Sequence, residues 1–382
     1  MKSQFIFLRF PFCIQPNFCN FAPRTLGGFC RVWNMNTQSK KRSLVAAAIV
    51  VVAMLAFGYY YFFSSFAKNS ESQFVYIDND DDVDSVLAKL RPMASEHGMN
   101  ALGSLVRHFN YGDHIRTGRY EVGDGIGALQ LFRHLRNGLQ TPVKLTIPSV
   151  RTMDRLAGEL SKKLMMDSVE LYKMISDESV CRAYGLDTAT MVCLFIPNTY
   201  DIYWNITPEK LLKRMKKEYD TFWNDSRKAK AKAEGLTPVE VMTLASIVDE
   251  ETANNGEKPM IAGMYLNRLK FRDAEYPEGM PLQADPTIKF AWKRFDLKRI
   301  YNSLLYIRSP YNTYKNPGLP PGPIRIPSVE GIDAVLNAVH HNYLYMCAKE
   351  DFSGTHNFAR TYEEHQRNAA RYSEALNKRG IK

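Results

Sequence analysis

Apolar positions fall along the chain in three kinds of pattern, and the first is an unbroken run. Leu44 to Phe63, LVAAAIVVVAMLAFGYYYFF, holds 20 residues without a charge. At 1.5 Å rise per residue a helix of that length spans about 30 Å, the thickness of a bilayer's hydrocarbon core. Tyr59, Tyr60 and Tyr61 gather at one end, where amphipathic rings favour the headgroup layer. Lys40, Lys41 and Arg42 precede the run, while Lys68 and Glu71 follow it. The positive-inside rule then puts the N-terminus in the cytoplasm and residues 68–382 outside. A cleaved signal peptide ending at Ser65-Phe66-Ala67 is the competing reading, although the run exceeds the usual apolar region of about 7–15 residues.

The second pattern alternates short strands with short amphipathic helices. Residues 74–77 (FVYI) predict a strand, followed by a helix through Val86 and Leu90. The acids between them (Asp78, Asp80, Asp81, Asp82 and Asp84) suggest a calcium loop, but its sixth position lacks Gly and Lys89 stands where Glu should close it. Acids at a helix N-terminus explain them better. Arg119–Val122 predicts a strand, Gly123–Gly125 a turn, and Ala128–Leu139 a helix with Leu129, Leu131, Phe132 and Leu135. The glycines at 123, 125 and 127 imitate a dinucleotide fingerprint, yet no acid stands near position 145 to hold a ribose. The strand Val143–Ile147 and a helix from Thr152 to Leu164 complete an expected small α/β region of about 90 residues.

From Thr207 onward the third pattern, helical periodicity, dominates. Lys210–Phe222 and Arg227–Lys232 are basic, but no aromatic stacking pattern is interleaved, so they read as solvated faces and not as a nucleic-acid grip. Tyr362–Asn377 predicts a terminal surface helix. Composition alters this picture little. The 382 residues are 45% hydrophobic and 24% charged, which excludes a disordered chain. The net charge of +10 includes Lys2, Arg9, Arg24 and Arg31, so from Met35 onward it is +6, spread too widely for a phosphate-binding stripe. Cys13, Cys19 and Cys30 lie in residues 1–34, which show no clear periodicity. Met35 opens a more usual leader and is read as the true start, a reading that a peptide from residues 1–34 in the mature protein would refute. The other cysteines, Cys181, Cys193 and Cys347, allow at most one bridge.

Candidate chemistry concentrates in Leu236–Asp285. Thr237-Pro238-Val239-Glu240 is a capping box with proline at the first helical position. At 100° per residue Val241, Leu244, Ala245 and Val248 share a face, Thr243, Ser246 and Glu250 lie opposite, and Glu251 points where the apolar residues point. A carboxyl there is partly desolvated, which raises its pKa. Two neighbouring carboxylates and the negative end of the helix dipole push the same way. Such a protonated acid is what a glycosidase uses as proton donor. A carboxylate reaching to solvent, or paired with Arg268, remains the alternative. Pro259 opens a second helix, Met260–Lys270, with Asn267 and Arg268 beside its apolar face. Pro286 is expected to hold Asp285 extended, next to Gln283. Loops at Tyr311-Asn312-Thr313-Tyr314 and Gly318–Ile324 offer rings, amides and hydroxyls suited to sugars. Gly354–Phe358, with His356, reads as a strand edge. His340, His341, His356 and His365 lack HExxH spacing, and no metal site is assigned.

At these residues the chain resembles the membrane-anchored endolytic murein transglycosylases of the MltG (YceG-like) family. The resemblance covers nearly all of the exported part. It rests on Ala245–Thr252, Tyr265–Leu269, Leu282–Pro286, Tyr311–Tyr314, Gly318–Gly322, His356–Phe358 and the turn Phe195–Tyr200. The family's usual A-S-I-[IV]-E-x-E-T places its catalytic Glu on Glu251. Asp249 replaces the first Glu of that pattern, and Asp273–Glu278 looks inserted.

The resemblance implies an α+β fold: a cytoplasmic leader (1–43), a single transmembrane helix (44–63), a small LysM-like α/β domain (74–145) and a mainly helical α+β catalytic domain (146–382). It implies an inner-membrane protein with a periplasmic catalytic part that cleaves the MurNAc-β-1,4-GlcNAc bond within peptidoglycan glycan strands. Glu251 would protonate the departing oxygen and then serve as base to the muramyl C6 hydroxyl, leaving a 1,6-anhydro ring. Gln283, Asp285, Asn267, Arg268, Tyr311, Asn312, Tyr314 and His356 would bind substrate. No cofactor is implied. Peptidoglycan synthases (penicillin-binding proteins) are the expected protein partners. A muramidase-type hydrolase using Asp285 to activate water, and a non-catalytic peptidoglycan-binding scaffold, stand as alternatives.

Overall fold

The computed structural model describes residues 37–297 and 299–380; the readings of residues 1–34, of Met35 and of Cys13, Cys19 and Cys30 lie outside them. Helix α1 (Thr37–Phe63) contains the whole apolar run and takes Lys40, Lys41 and Arg42 into its first turns. Its segment Lys40–Phe63 is long and apolar enough to cross a membrane. Among the described residues, those up to Tyr60 and those from Tyr61 belong to two compact units.

Within the second unit three hydrophobic clusters succeed one another along the sequence. In the first, β1 (Gln73–Ile77) and β2 (Gly118–Val122) pair antiparallel, with Val75 opposite Tyr120. Alternation puts Val75, Ile77, Tyr120 and Val122 inward, against α2 (Val83–Leu90), α3 (Glu96–His108) and α4 (Ala128–Asn137). The acidic cluster is a cap and an ion-pair site. Asp82 accepts the Ser85 N–H, and Lys89 Nζ lies 2.9 Å from Asp78 and 2.5 Å from Asp81.

The strand β3 (Val143–Thr146) does not complete this region. It pairs antiparallel with β4 (Thr199–Ile202), whose first two residues fall in the turn Phe195–Tyr200. Val143 and Leu145 therefore belong to the second cluster, with α5 (Met153–Ser161), α6 (Ser168–Ile175), α7 (Glu178–Ala183) and α8 (Pro208–Phe222). Alternation identifies a strand but not its partner, and here the partner lies more than fifty residues downstream.

The third cluster carries the chemistry. Helices α9 (Asp225–Ala233), α10 (Pro238–Glu251), α11 (Lys258–Lys270), α12 (Asp285–Trp292) and α13 (Val329–Leu336) enclose it. The capping box at Thr237 forms as expected, with Glu240 returning to the Thr237 N–H. The expected polar face does not. Every residue from Val241 to Val248 is buried, because α11, α12 and α13 all pack on α10. Ser246 is satisfied inside: its Oγ donates to Thr243 O (2.7 Å) and accepts the Ile324 N–H (3.0 Å). Asp285 is not extended either. It is the first residue of α12, and Ala284 takes the extended conformation before it. An antiparallel hairpin of β5 (Tyr345–Ala348) and β6 (His356–Ala359), covered by α14 (Tyr362–Lys378), closes the fold. Cys181, Cys193 and Cys347 are free thiols.

Candidate active site

Three acids end α10, and packing gives each a different fate. Asp249 is buried against α13: Ser328 donates to it through N–H (2.6 Å) and Oγ (2.8 Å), and Lys258 Nζ stands 2.7 Å away. A Cβ on Gly331 would lie 2.5 Å from Asp249 Oδ1, so this approach requires glycine in the first turn of α13. Glu250 turns the other way and accepts from Arg151 (2.8 and 2.9 Å) and Arg325 (2.9 Å). Both neighbours of Glu251 are thus neutralised by cations, contrary to the expectation that they raise its pKa.

Glu251 itself forms no ion pair among the described residues. Its Oε1 accepts the Tyr265 hydroxyl proton at 2.8 Å, about two turns into α11 on its buried face. Burial raises its pKa from 4.5 to about 7, with the nearby Asp285 charge adding to the rise while the Tyr265 hydroxyl partly opposes it. The side chain nevertheless keeps an edge open to a cleft of about 480 Å³. Tyr265 is fully buried and its pKa lies well above the usual phenol value, again mainly from burial, so it remains a neutral donor.

Around that carboxyl the cleft gathers residues from distant parts of the chain: Arg268, Gln283, Asp285, Tyr314, Tyr345 and His356. Asp285 Oδ1 accepts the Tyr314 hydroxyl at 2.6 Å. Gln283 has φ 50°, a left-handed conformation costing a side-chain-bearing residue about 1–2 kcal/mol. Its N–H is held by Thr313 O (3.0 Å), and the next N–H, of Ala284, by Thr313 Oγ1 (3.0 Å). Arg268 does not pair with Glu251. It donates to Leu344 O (2.6 Å), Leu282 O (2.6 Å) and Gln283 Oε1 (3.4 Å), tying α11 to both cleft walls. His356 is gripped by Glu257, which accepts from its N–H (2.6 Å) and sits 2.9 Å from its Nδ1. Tyr345 stacks on His365, with ring centroids 5.5 Å apart, and forms a flat wall of the cleft.

Three sequence candidates are not brought to this cleft. The Asn267 amide donates to His341 O (2.6 Å) and Tyr343 O (3.0 Å), fastening the loop before β5. Asn312 is fully buried; it donates to Leu305 O and Ile307 O (both 2.9 Å) and accepts the Tyr314 N–H (3.0 Å). Tyr311 packs on Phe290, centroids 4.7 Å apart, and faces a separate cavity beside Arg151. Amide-rich loops resemble sugar-binding loops in sequence, but a loop without regular structure must itself satisfy its backbone, and these amides do that. The sequence did not single out Tyr265 as Glu251's partner or Glu257 as that of His356. For Tyr265 a partial signal existed: a tyrosine on a buried helix face needs an acceptor, but which acid supplies it is decided by packing. Asp273–Glu278 forms a self-capped turn, Asp273 Oδ1 accepting the N–H groups of Glu275 and Tyr276. The four histidines singled out by the metal question have separate partners: His341 contacts Met260 O, His340 lies near Glu234, and His356 and His365 sit as described.

The sequence pattern of the YceG-like family matches residues 75–371. An endolytic murein transglycosylase of Streptococcus pneumoniae (strain D39) is 29% identical over 307 residues, which cover 72% of this chain and 54% of that protein. One from Bacillus subtilis is 33% identical over 171 residues, 45% of this chain and 44% of that protein. The chain spans about half the length of these curated relatives. A crystal structure of a yceG-like protein from Listeria monocytogenes superposes with a TM-score of 0.50 at 25% identity, covering 78% of this chain and 99% of its own.

Proposed function

The chain belongs to the YceG-like family, and from that premise we propose that it is an endolytic peptidoglycan lytic transglycosylase with Glu251 as its acid–base residue. One observation carries the reading: a carboxyl raised to about 7 at the edge of an open, ring-walled cleft. Near neutral pH a large fraction of it holds a proton, and the acid form suits donation to a departing glycosidic oxygen. Tyr265 occupies Oε1, which leaves Oε2 for that proton. Once ionised, the same carboxylate can take the proton of the muramyl C6 hydroxyl as that oxygen attacks C1. The nucleophile then belongs to the substrate, so no second carboxylate at a fixed separation is needed, unlike in ordinary glycosidases. Arg268, Gln283, Asp285, Tyr314 and His356 are the proposed substrate contacts, with Tyr345 as a stacking surface. Asn267, Tyr311 and Asn312 act through the loops they hold.

The name of the pneumococcal and Bacillus relatives supports the substrate, a murein glycan cut internally. Helix α1 supports an inner-membrane anchor with a cytoplasmic N-terminus and periplasmic cleft, placed where peptidoglycan synthases work. The first domain, read as LysM-like, would give a second glycan contact.

Digestion of purified peptidoglycan by the full chain in detergent, with mass analysis of the ends, tests the reading. Anhydro-muramyl ends, one water lighter than reducing ends, are expected. Asp285 beside Glu251 favours one rival, hydrolysis by an Asp285-activated water; reducing ends alone would establish it and end our proposal. A Glu251→Gln chain that cuts as well as the native one would point instead to a binding scaffold.

A further inference from the structure

A cavity of about 820 Å³ in the first domain shares no lining residue with the cleft at Glu251. Lys68, Arg91 and Arg107 line it with Glu96, so cations outnumber acids in its lining. All three cations are exposed, and among the described residues none has an acidic partner. Elsewhere in the same domain Lys89 is doubly paired. The cations here are not spent on the fold. Leu87, Ala94 and Met99 supply an apolar wall beside them.

The main chain fixes these groups in place. Residues 65–68 run as a strap against the loop before α3: Ser95 N–H donates to Phe66 O and Lys68 N–H to Met93 O, both at 2.8 Å. The strap lies tight on α3, where a Cβ at Gly98 would come within 2.9 Å of Phe66 O. Arg107 folds back over Gly103, with Nη1 3.9 Å from where a Cβ would stand. The last turn of the apolar helix belongs to this same packed unit, since Tyr61 and Phe62 pack on the domain's core and a Cβ at Gly127 would lie 2.8 Å from Phe63 Cα. Lys68 follows Phe63 by five residues, so it stands at most roughly 18 Å from the helix end.

We propose that this cavity binds the phosphate headgroup of an anionic phospholipid, holding the first domain against the bilayer surface from which α1 emerges. Guanidinium groups match phosphate oxygens in paired hydrogen bonds, a lysine adds a point charge, and the apolar wall takes the glycerol end of the lipid. The tether keeps the site close to the headgroup layer, whose attraction fades within about 10 Å. The inference rests on the proposed membrane anchor. It is independent of the chemistry at Glu251.

The test places the full chain in nanodiscs of phosphatidylcholine alone or with phosphatidylglycerol and follows amide hydrogen exchange. Anionic lipid should slow exchange across residues 95–107 by about ten-fold or more. Arg91→Gln and Arg107→Gln should each weaken that protection about five-fold. Exchange of β1 reports whether each variant is folded, and either variant suffices if the other is not. Arg133→Gln, an exposed cation of the same domain outside the cavity, should change nothing. Equal exchange in both discs overturns the proposal, as does an equal loss in Arg133→Gln, which would mean diffuse charge. Glycerol phosphate giving full protection in phosphatidylcholine discs would make the site one for free phosphate and would also overturn it. Failure of the anchor shows separately, as a chain that does not enter the discs.

Discussion

Replacing Glu251 by Gln keeps an acceptor for the Tyr265 hydroxyl but removes a charge from a site that burial disfavours. The folded protein binds this proton more tightly than the unfolded chain, with a pKa of about 7 against 4.5. The carboxyl's contribution is therefore intact below about pH 4.5 and is lost as pH rises through 7, where folding must carry an ionised group. A shift of that size amounts to about 3 kcal/mol, reduced to about 2–3 kcal/mol because water enters the cleft. Glu251→Gln should thus match the native protein near pH 4 and become the more stable of the two by this amount at pH 8. Meanwhile it should lose roughly 100-fold or more in glycan cleavage. Thermal unfolding of the full chain in detergent between pH 4 and 8 reads the difference as a gap of several degrees that opens with pH. A gap independent of pH, or a variant less stable at pH 8, would refute the claim that burial of this carboxyl sets its protonation.

The native rate of glycan cleavage should fall as pH rises through about 7, because the proton donor is lost. Tyr265→Phe should move that fall to higher pH, since the lost hydroxyl stabilised the ionised form, and should lower kcat/KM about ten-fold. Asp249→Ala leaves Lys258 buried without its counter-charge and should cost about 3–5 kcal/mol in unfolding experiments; adding Lys258→Met should recover much of it. Asn312→Ala should destabilise the Tyr311–Tyr314 loop, measurable as a lower Tm and faster exchange at Tyr314, whereas Tyr314→Phe should leave Tm nearly unchanged and raise KM.

Much of the organisation was legible because it is local. The uncharged run, the capping box at Thr237, the helices at 208–222 and 362–378 and the strands at 73–77 and 118–122 follow from periodicity and caps, which act over a few residues. Glu251 was also within reach, since its direction on α10 is fixed by 100° per residue. Other features depended on what arrives from elsewhere in the chain. The Thr243 and Ser246 face looked solvent-facing until α12, α13 and the Ile324 segment covered it. β3 looked like part of the first strand-and-helix region until β4 claimed it.

Residue identity along the chain determined that an acid would stand at the end of a greasy helix, and that amides and rings would crowd the loops beyond it. Only the tertiary structure decided which acid stays unpaired. Lys258 reaches Asp249 from α11, Arg151 and Arg325 reach Glu250 from segments far apart in sequence, and among the described residues no cation pairs with Glu251. A pKa depends on every charge and every bit of water within several ångströms, whatever the sequence separation, so it is settled by how remote segments pack.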